Sequence, residues 1–311
     1  MARIYYKAIM FFVVLFALLF LFKFNLVSFN LLSLPVDKNQ PALLEEIKQE
    51  APNYNEEAED AYIDNVWKKT PGRNGRKVNI QKSYKNMKES EQFDKEKLVF
   101  DEIKPNVSLE QLPASPIYRG HPEKEMVTLL INVSWGTEHI PVMLETLKEH
   151  EVKANFFIEG QWAKENKSTL KMIDEQGHLI GNHGFNHPDM AKMTAQQIKE
   201  QITKTNDIIE AIIDKPVKWF APPSGSFTDT VVKIADQEQM ETILWTVDTI
   251  DWQKPSASVM INRVMDKVHP GATILMHPTP VVAEGLDRLL VDIKLQGYRV
   301  HTIEQLIQET R

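Results

Sequence analysis

The 311-residue chain contains no cysteine. Disulfides, thiolate metal sites and thiol nucleophiles are therefore excluded, and any metal has to be held by His, Asp or Glu. An excess of positive charge is also missing: 36 Lys and Arg stand against 43 Asp and Glu, giving a net charge of -7 with the two signs interspersed. A nucleic-acid-binding face is normally a basic stripe, so this balance argues against nucleic acid as a partner. There is no Walker A sequence and no G-x-G-x-x-G after the first expected strand, which argues against a nucleotide site. Nothing supports a flavin or haem. At 42% hydrophobic and 25% charged, the remainder is ordinary globular composition.

Long apolar runs are confined to the amino terminus. Arg3 and Lys7 precede an uncharged run from Ala8 to Phe22, and Lys23 is followed by further apolar residues to Leu34. A membrane span needs about 20 residues; Ile4 to Tyr6 extend this one, and Lys23 can snorkel to the interface. Residues 1–34 thus read as a single-pass anchor, with the amino terminus cytoplasmic and the rest of the chain outside. A cleaved signal peptide, giving a secreted protein, is the alternative, although no A-x-A site follows the run. Over residues 35–113 periodic hydrophobicity nearly vanishes and stretches such as Glu56-Glu57-Ala58-Glu59-Asp60 dominate. This reads as a charged, mostly disordered stalk with one short helix around Leu43 to Gln49.

A third segment, residues 114–311, has a different character. Short apolar runs predict strands at Val127–Val133, Ala154–Ile158, His178–Asn182, Val217–Phe220, Thr242–Val247, Ala272–Met276 and Arg299–Thr302. Helical spacing predicts Pro141–His150, Trp162–Glu175, Thr194–Ile213, Thr228–Gln239, Ala257–Val268 and Val281–Leu295 between them. The alternation means βαβ units and an α/β fold. Val127 to Arg311 is shorter than the ~250 residues of a full (β/α)8 barrel, so about seven parallel strands in a reduced or distorted (β/α) barrel are expected. An open doubly wound sheet is the alternative.

In parallel α/β folds chemistry sits just past the strand carboxyl ends. After the third strand come His183 and His187, which one helical turn would aim at the same point, as metal ligands require. The rigid turn Ala221-Pro222-Pro223-Ser224-Gly225 follows the fourth strand, and its N–H groups near Ser224 can face an oxyanion. Asp251 and His277, after the fifth and sixth strands, are candidates for acid and base roles. Trp135, Trp245 and Trp252 suit either a sugar-stacking floor or core packing. His121, His139, His150, His178, His269 and His301 read as structural.

From Val127 to Gln308 these segments resemble, in order and spacing, the NodB-homology polysaccharide deacetylases, carbohydrate esterase family 4. His183 and His187 match the spacing of the H-(S/T)-x-x-H motif, with Gly184 in place of the hydroxyl residue. Ala221 to Gly225 match the R-x-P-x-G-like motif apart from its first residue, while Asp251 with Trp252 and His277 match the fourth and fifth motifs. The resemblance implies a divalent metal, zinc, on His183 and His187. It also implies catalytic roles at positions 132, 251 and 277, and a groove lined by Trp135, Pro223, Ser224, Gly225 and Trp252. The implied reaction is metal-assisted hydrolysis of N-acetyl groups on a glycan such as peptidoglycan, in a cell wall or spore envelope.

The first motif departs from the pattern. It reads Leu130-Ile131-Asn132-Val133-Ser134-Trp135-Gly136, nearest to the S-W-G form of a sporulation-associated branch, with Asn132 at the base position. An amide can orient water but cannot take its proton as a carboxylate does. Ala221 replaces the arginine that would partner Asp251. Two histidines fall short of the three protein ligands usual for catalytic zinc, with Glu138, His139 or Asp248 left to complete the set. Three readings stay open: a deacetylase with a rearranged base, a glycan-binding pseudoenzyme, and a purely structural membrane-tethered protein. Oligomeric state is not legible.

Overall fold

A computed structural model describes residues 41–311. The expected anchor, residues 1–34, lies outside them, and no helix among the described residues is long and apolar enough to cross a membrane. Two compact units are distinguished, residues 54–78 with 100–311, and the described residues 41–53 with 79–99. In the smaller unit α1 (Ala42–Glu50) contacts α2 (Ile80–Met87). Asn79 caps α2 by accepting from the Lys82 N–H.

Residues 54–78 and 100–113, expected within the charged stalk, carry regular structure. β1 (Tyr62–Asp64) pairs antiparallel with β2 (Lys68–Thr70), and β3 (Gly75–Val78) with β4 (Phe100–Ile103). Charge pairing takes the place of hydrophobic periodicity here. Glu59 and Glu56 form backbone bridges with Arg73 and Arg76, and the same residues pair through their side chains, with Arg311 also on Glu56. Lys69, 2% exposed, ends on Glu241 at 2.6 Å. Such pairs join residues far apart in sequence, so a local window sees only polarity.

The core of the larger unit is a parallel sheet. Its strands are β5 (Met126–Val133), β6 (Asn155–Ile158), β7 (Leu179–Asn182), β8 (Trp219–Phe220), β9 (Glu241–Thr242), β10 (Val247–Asp248) and β11 (Thr273–Met276), in the order β10-β11-β5-β6-β7-β8-β9. A short β12 (Arg299–Val300) pairs with the start of β5. The strand expected over Thr242–Val247 is split into β9 and β10, which lie at opposite edges of the sheet. Between them Ile117 takes up the backbone groups, donating to Thr242 and accepting from Leu244. Five residue steps span at most about 18 Å, so the sheet must curl until its edges nearly meet. The result is the reduced barrel, a curled half-barrel of seven strands.

The intervening helices α3 (Ile140–Glu149), α4 (Gly160–Glu165), α5 (Lys167–Glu175), α6 (Ala195–Ile213), α7 (Asp229–Gln237), α8 (Ala257–Met265) and α9 (Pro280–Leu295) fall where the spacing placed them, with the expected 162–175 helix divided in two. A final α10 covers Ile303–Ile307. All eight residues of β5 are buried, as befits a central parallel strand covered on both faces. Val127, Leu129, Ile131 and Val133 join the main hydrophobic core, whereas Met126 and Leu130 belong to a second cluster with Phe157, Ala221, Ile243 and Leu306. Strand alternation therefore sends even-numbered β5 residues to the concave side, and Asn132 is the last of them. The same period points Leu275 and His277 inward from β11, where Ile274 and Met276 serve the main core.

Candidate active site

Those inward positions meet at the carboxyl ends of the strands, around a cavity of about 400 Å³. Asn132, His183, His187, Ser224 and His277 line it, with Trp135, Trp245 and Trp252 and with Asp248 and Leu275. Pro223 and Gly225 flank Ser224, and Asp251 stands behind His277. The expected residues other than Glu138 and His139 thus line one cavity or adjoin a residue that does.

Each is held by identifiable contacts. Asn182, at the end of β7, donates to the Ile202 carbonyl and to Asn206, and accepts the Gly184 N–H at 2.7 Å. Beside it, His183 lies 2.7 Å through Nδ1 from the Ala221 carbonyl. A carbonyl only accepts, so Nδ1 carries the proton and Nε2 keeps its lone pair. The helical turn expected for His183 and His187 is absent. Residues 183–187 form a loop in which His187 takes a left-handed backbone, φ 53, and this brings the two rings to 5.2 Å. Burial, reinforced by His187, pushes His183 down to about 3, and burial also lowers His187. Both imidazoles are neutral at neutral pH.

Opposite them, Asp251 is fully buried and accepts three hydrogen bonds, from His277 Nδ1 at 2.8 Å, the His277 N–H at 2.8 Å and Thr279 Oγ1 at 3.1 Å. Ala221 brings no side-chain donor to this carboxylate, and the three hydrogen bonds come from His277 and Thr279. Trp135 stacks on the His277 ring at 5.0 Å and 30°. Gly136 makes that approach possible: at φ 75, a Cβ on it would lie 1.9 Å from the Pro278 carbonyl oxygen. Gly225, at φ 65, likewise leaves room for the Trp245 ring. The proline turn offers less to an oxyanion than expected, because the Gly225 and Ser226 N–H groups are spent on Pro222 and Pro223 carbonyls.

The donor set does not fit a catalytic divalent metal. Glu138 and His139 pair with each other at 3.5 Å and do not line the cavity. Asp248 lines it, but its Oδ1 accepts the Ile250 N–H. No group of three His, Cys, Asp or Glu placed to hold a metal occurs among the described residues, against the three protein ligands of catalytic zinc. Asn132, 3% exposed, leaves its Oδ1 without a hydrogen-bond partner.

Sequence reasoning missed Leu275 and Thr279. The alternation that ends at His277 signals the first, and the helix-opening Thr-Pro pair signals the second. Of the histidines set aside as structural, His121 pairs with Glu59, His150 with Asp287, and His178 accepts the Ala154 N–H.

Comparison with known proteins agrees with this geometry. A polysaccharide deacetylase family model matches residues 119–243. The uncharacterized protein YlxY of Bacillus subtilis is 51% identical over 89% of this chain and 86% of its own. A peptidoglycan-N-acetylglucosamine deacetylase of Bacillus cereus is 32% identical over 62% of this chain and 72% of its own. The crystal structure of a CE4 family pseudoenzyme from Bacillus anthracis superposes with TM-score 0.83 at 52% identity, covering 88% of this chain and 97% of that one; a mutant of it is described as having restored enzymatic activity. Strand-end histidines, the buried Asp251 and the half-barrel that gathers them therefore have one common explanation: the chain belongs to the polysaccharide deacetylase family.

Proposed function

We infer that this protein is a glycan-binding pseudoenzyme of the family, holding an N-acetylated, peptidoglycan-type polymer in the cavity without hydrolysing it. The observation that carries this is Asn132. Its unpartnered amide oxygen stands where the family's general base belongs, and an amide has no basicity with which to take a proton from water. The two neutral imidazoles without a third ligand point the same way, as does the resemblance to a pseudoenzyme. The cavity keeps what binding needs: three tryptophans for the apolar faces of sugars and a few convergent polar groups. Arg3 and Lys7 before the Ala8–Phe22 run support a single-pass anchor with the domain on the outer face of the membrane, facing cell-wall or spore-envelope glycan.

A second reading, a slow deacetylase, is favoured by the Asp251–His277 pair, which retains the geometry of a general acid. Titration of the full chain with peptidoglycan and chito-oligosaccharides, beside an acetate assay with added zinc, separates the two. Saturable binding without acetate is expected. Acetate release abolished by His183→Ala would establish the hydrolase, and absence of binding would remove the pseudoenzyme reading.

A further inference from the structure

Glu241 is the first residue of β9, and at that amino end of the strand lies a cavity of about 670 Å³. Its other walls come from Asn74, from residues between 104 and 111, and from the chain that runs through and out of α10. Asn74 and the 104–111 wall precede residues 119–243, the segment that the family model matches, so this cavity is separate from the groove at the strand carboxyl ends. Four glutamates and one lysine, Lys104, line it. Glu241 is committed to Lys69 and Glu309 to the Leu109 N–H, whereas Glu110 and Glu304 make no ion pair or hydrogen bond with another described residue. Carboxylates alone would mean only a solvated rim. The inner wall says more. Asn74 is 5% exposed, and its buried Oδ1 has no hydrogen-bond partner, although a buried acceptor left unpaired is costly. Leu109 and Ile307, both buried, give the same cavity an apolar floor.

The charged groups other than Lys104 accept hydrogen bonds, and so does the orphaned Asn74 oxygen, so the complementary ligand is rich in donors. A metal ion is disfavoured, because no group of three His, Cys, Asp or Glu placed to hold one occurs among the described residues. A sugar would bring acceptors as well as donors and would look for an aromatic face, and none of the lining residues is aromatic. A lysine side chain supplies both missing parts: an aliphatic stem for Leu109 and Ile307, and an ammonium with three donors for the glutamates. A main-chain N–H meets the Asn74 oxygen. We propose that this cavity binds a short lysine-bearing peptide segment, with ammonium groups on Glu110 and Glu304 and a peptide N–H on Asn74. Its volume falls within the ~300–1,000 Å³ range of ligand pockets. The site is independent of the glycan reading above.

Calorimetric titration of the full chain with the peptide Ala-Lys-Ala-Lys-Ala, its norleucine counterpart and spermidine tests it. The lysine peptide is expected to bind at least about tenfold more tightly than the norleucine peptide, which keeps the main chain and loses the charge. The same margin is expected over spermidine, which keeps the charge and has no peptide N–H. The double variant Glu110→Gln, Glu304→Gln and the single variant Asn74→Ala should each lose about tenfold in affinity for the lysine peptide. Both glutamates are exposed, and Asn74 engages Glu309 and Arg311 through its main chain alone, so both variants should fold. Asn74→Ala should leave urea unfolding unimpaired, since the oxygen it removes is unpaired. No binding of the lysine peptide, equal binding of either control ligand, or undiminished affinity in either variant would overturn the proposal.

Discussion

Asp251 and His277 are joined twice, imidazole Nδ1–H to Oδ1 and backbone N–H to Oδ2, each at 2.8 Å. The first bond fixes the tautomer and leaves Nε2 for the cavity; the second fixes the ring's position relative to β11. Because the carboxylate is fully buried and also accepts from Thr279, all its bonds are donated to it. Asp251→Asn preserves size but turns an NH2 group toward one of those donors. Removing a partner from a buried polar group costs about 1–3 kcal/mol. A loss of that size in urea unfolding is expected, with a tautomer change at His277 visible in its ring ¹⁵N shifts. Unchanged stability and shifts would show that the pair is incidental.

Stability should fall on mild acidification because of His178. Its ring is buried, accepts the Ala154 N–H at 3.1 Å and lies edge-on to Phe156 at 5.2 Å. Burial, helped by Lys153, pushes it from 6.5 down to about 4. Below pH ~6.5 the unfolded chain binds a proton here that the folded chain refuses, so stability rises with pH across this window. The contribution is complete above pH ~6.5 and is lost as pH falls toward 4, amounting to roughly 3 kcal/mol at ~1.4 kcal/mol per pH unit. His183, held lower still, adds to the same slope. His178→Gln should flatten the dependence of unfolding free energy on pH between 6.5 and 4, and an unaltered slope would refute the assignment.

The same residues show what a sequence reveals. α6 begins within one residue of expectation because its period is long and Thr194 with Gln197 forms a capping box. The strand-end rule located His183 and His277 because the short apolar runs that mark strands are a local property, whereas Asn132 was legible only through the resemblance of its motif. The break between β9 and β10 was invisible, since it depends on Ile117, more than a hundred positions away. The order in residues 54–78 was hidden for the same reason, its ion pairs being cross-chain. Ala221 acts on His183 through its carbonyl, and main-chain groups leave no mark in composition. The His183–His187 spacing suggested a helix, whereas a left-handed residue at His187 accomplishes the same convergence.

Gly136 provides a sharp test of the Trp135 loop. A methyl group there would sit 1.9 Å from the Pro278 oxygen, a backbone atom with no rotamer to escape through. The left-handed conformation alone costs a non-glycine residue about 1–2 kcal/mol. Gly136→Ala should therefore destabilise the protein by more than about 2 kcal/mol and shift tryptophan fluorescence as Trp135 leaves His277. Gly297, at φ 91 but with nothing within 4 Å of its Cβ position, is the control: Gly297→Ala should lose only the conformational part. Equal losses at both sites would mean that the contact with Pro278 has no energetic weight.

Asn132→Asp asks whether the missing base is what silences the site. The new carboxylate would be buried, with no donor in place where the amide oxygen now lacks one. The variant should accordingly be less stable than the parent at pH 7 by about 1–3 kcal/mol, and less so at pH 5, where protonation relieves the buried charge. The carboxylate faces the cavity that His183 and His187 line, so it can serve as base or be consumed as a third, oxygen ligand; zinc uptake at one equivalent with a partial recovery of stability marks the second use. A positioned general base contributes about 10²- to 10⁴-fold in rate, so acetate release from N-acetylated glycan should rise from background to a measurable level, abolished by a second change, His277→Ala. Zinc uptake without acetate would mean that the carboxylate is consumed as a ligand. A variant with neither zinc nor acetate would show that the cavity had lost more than its base.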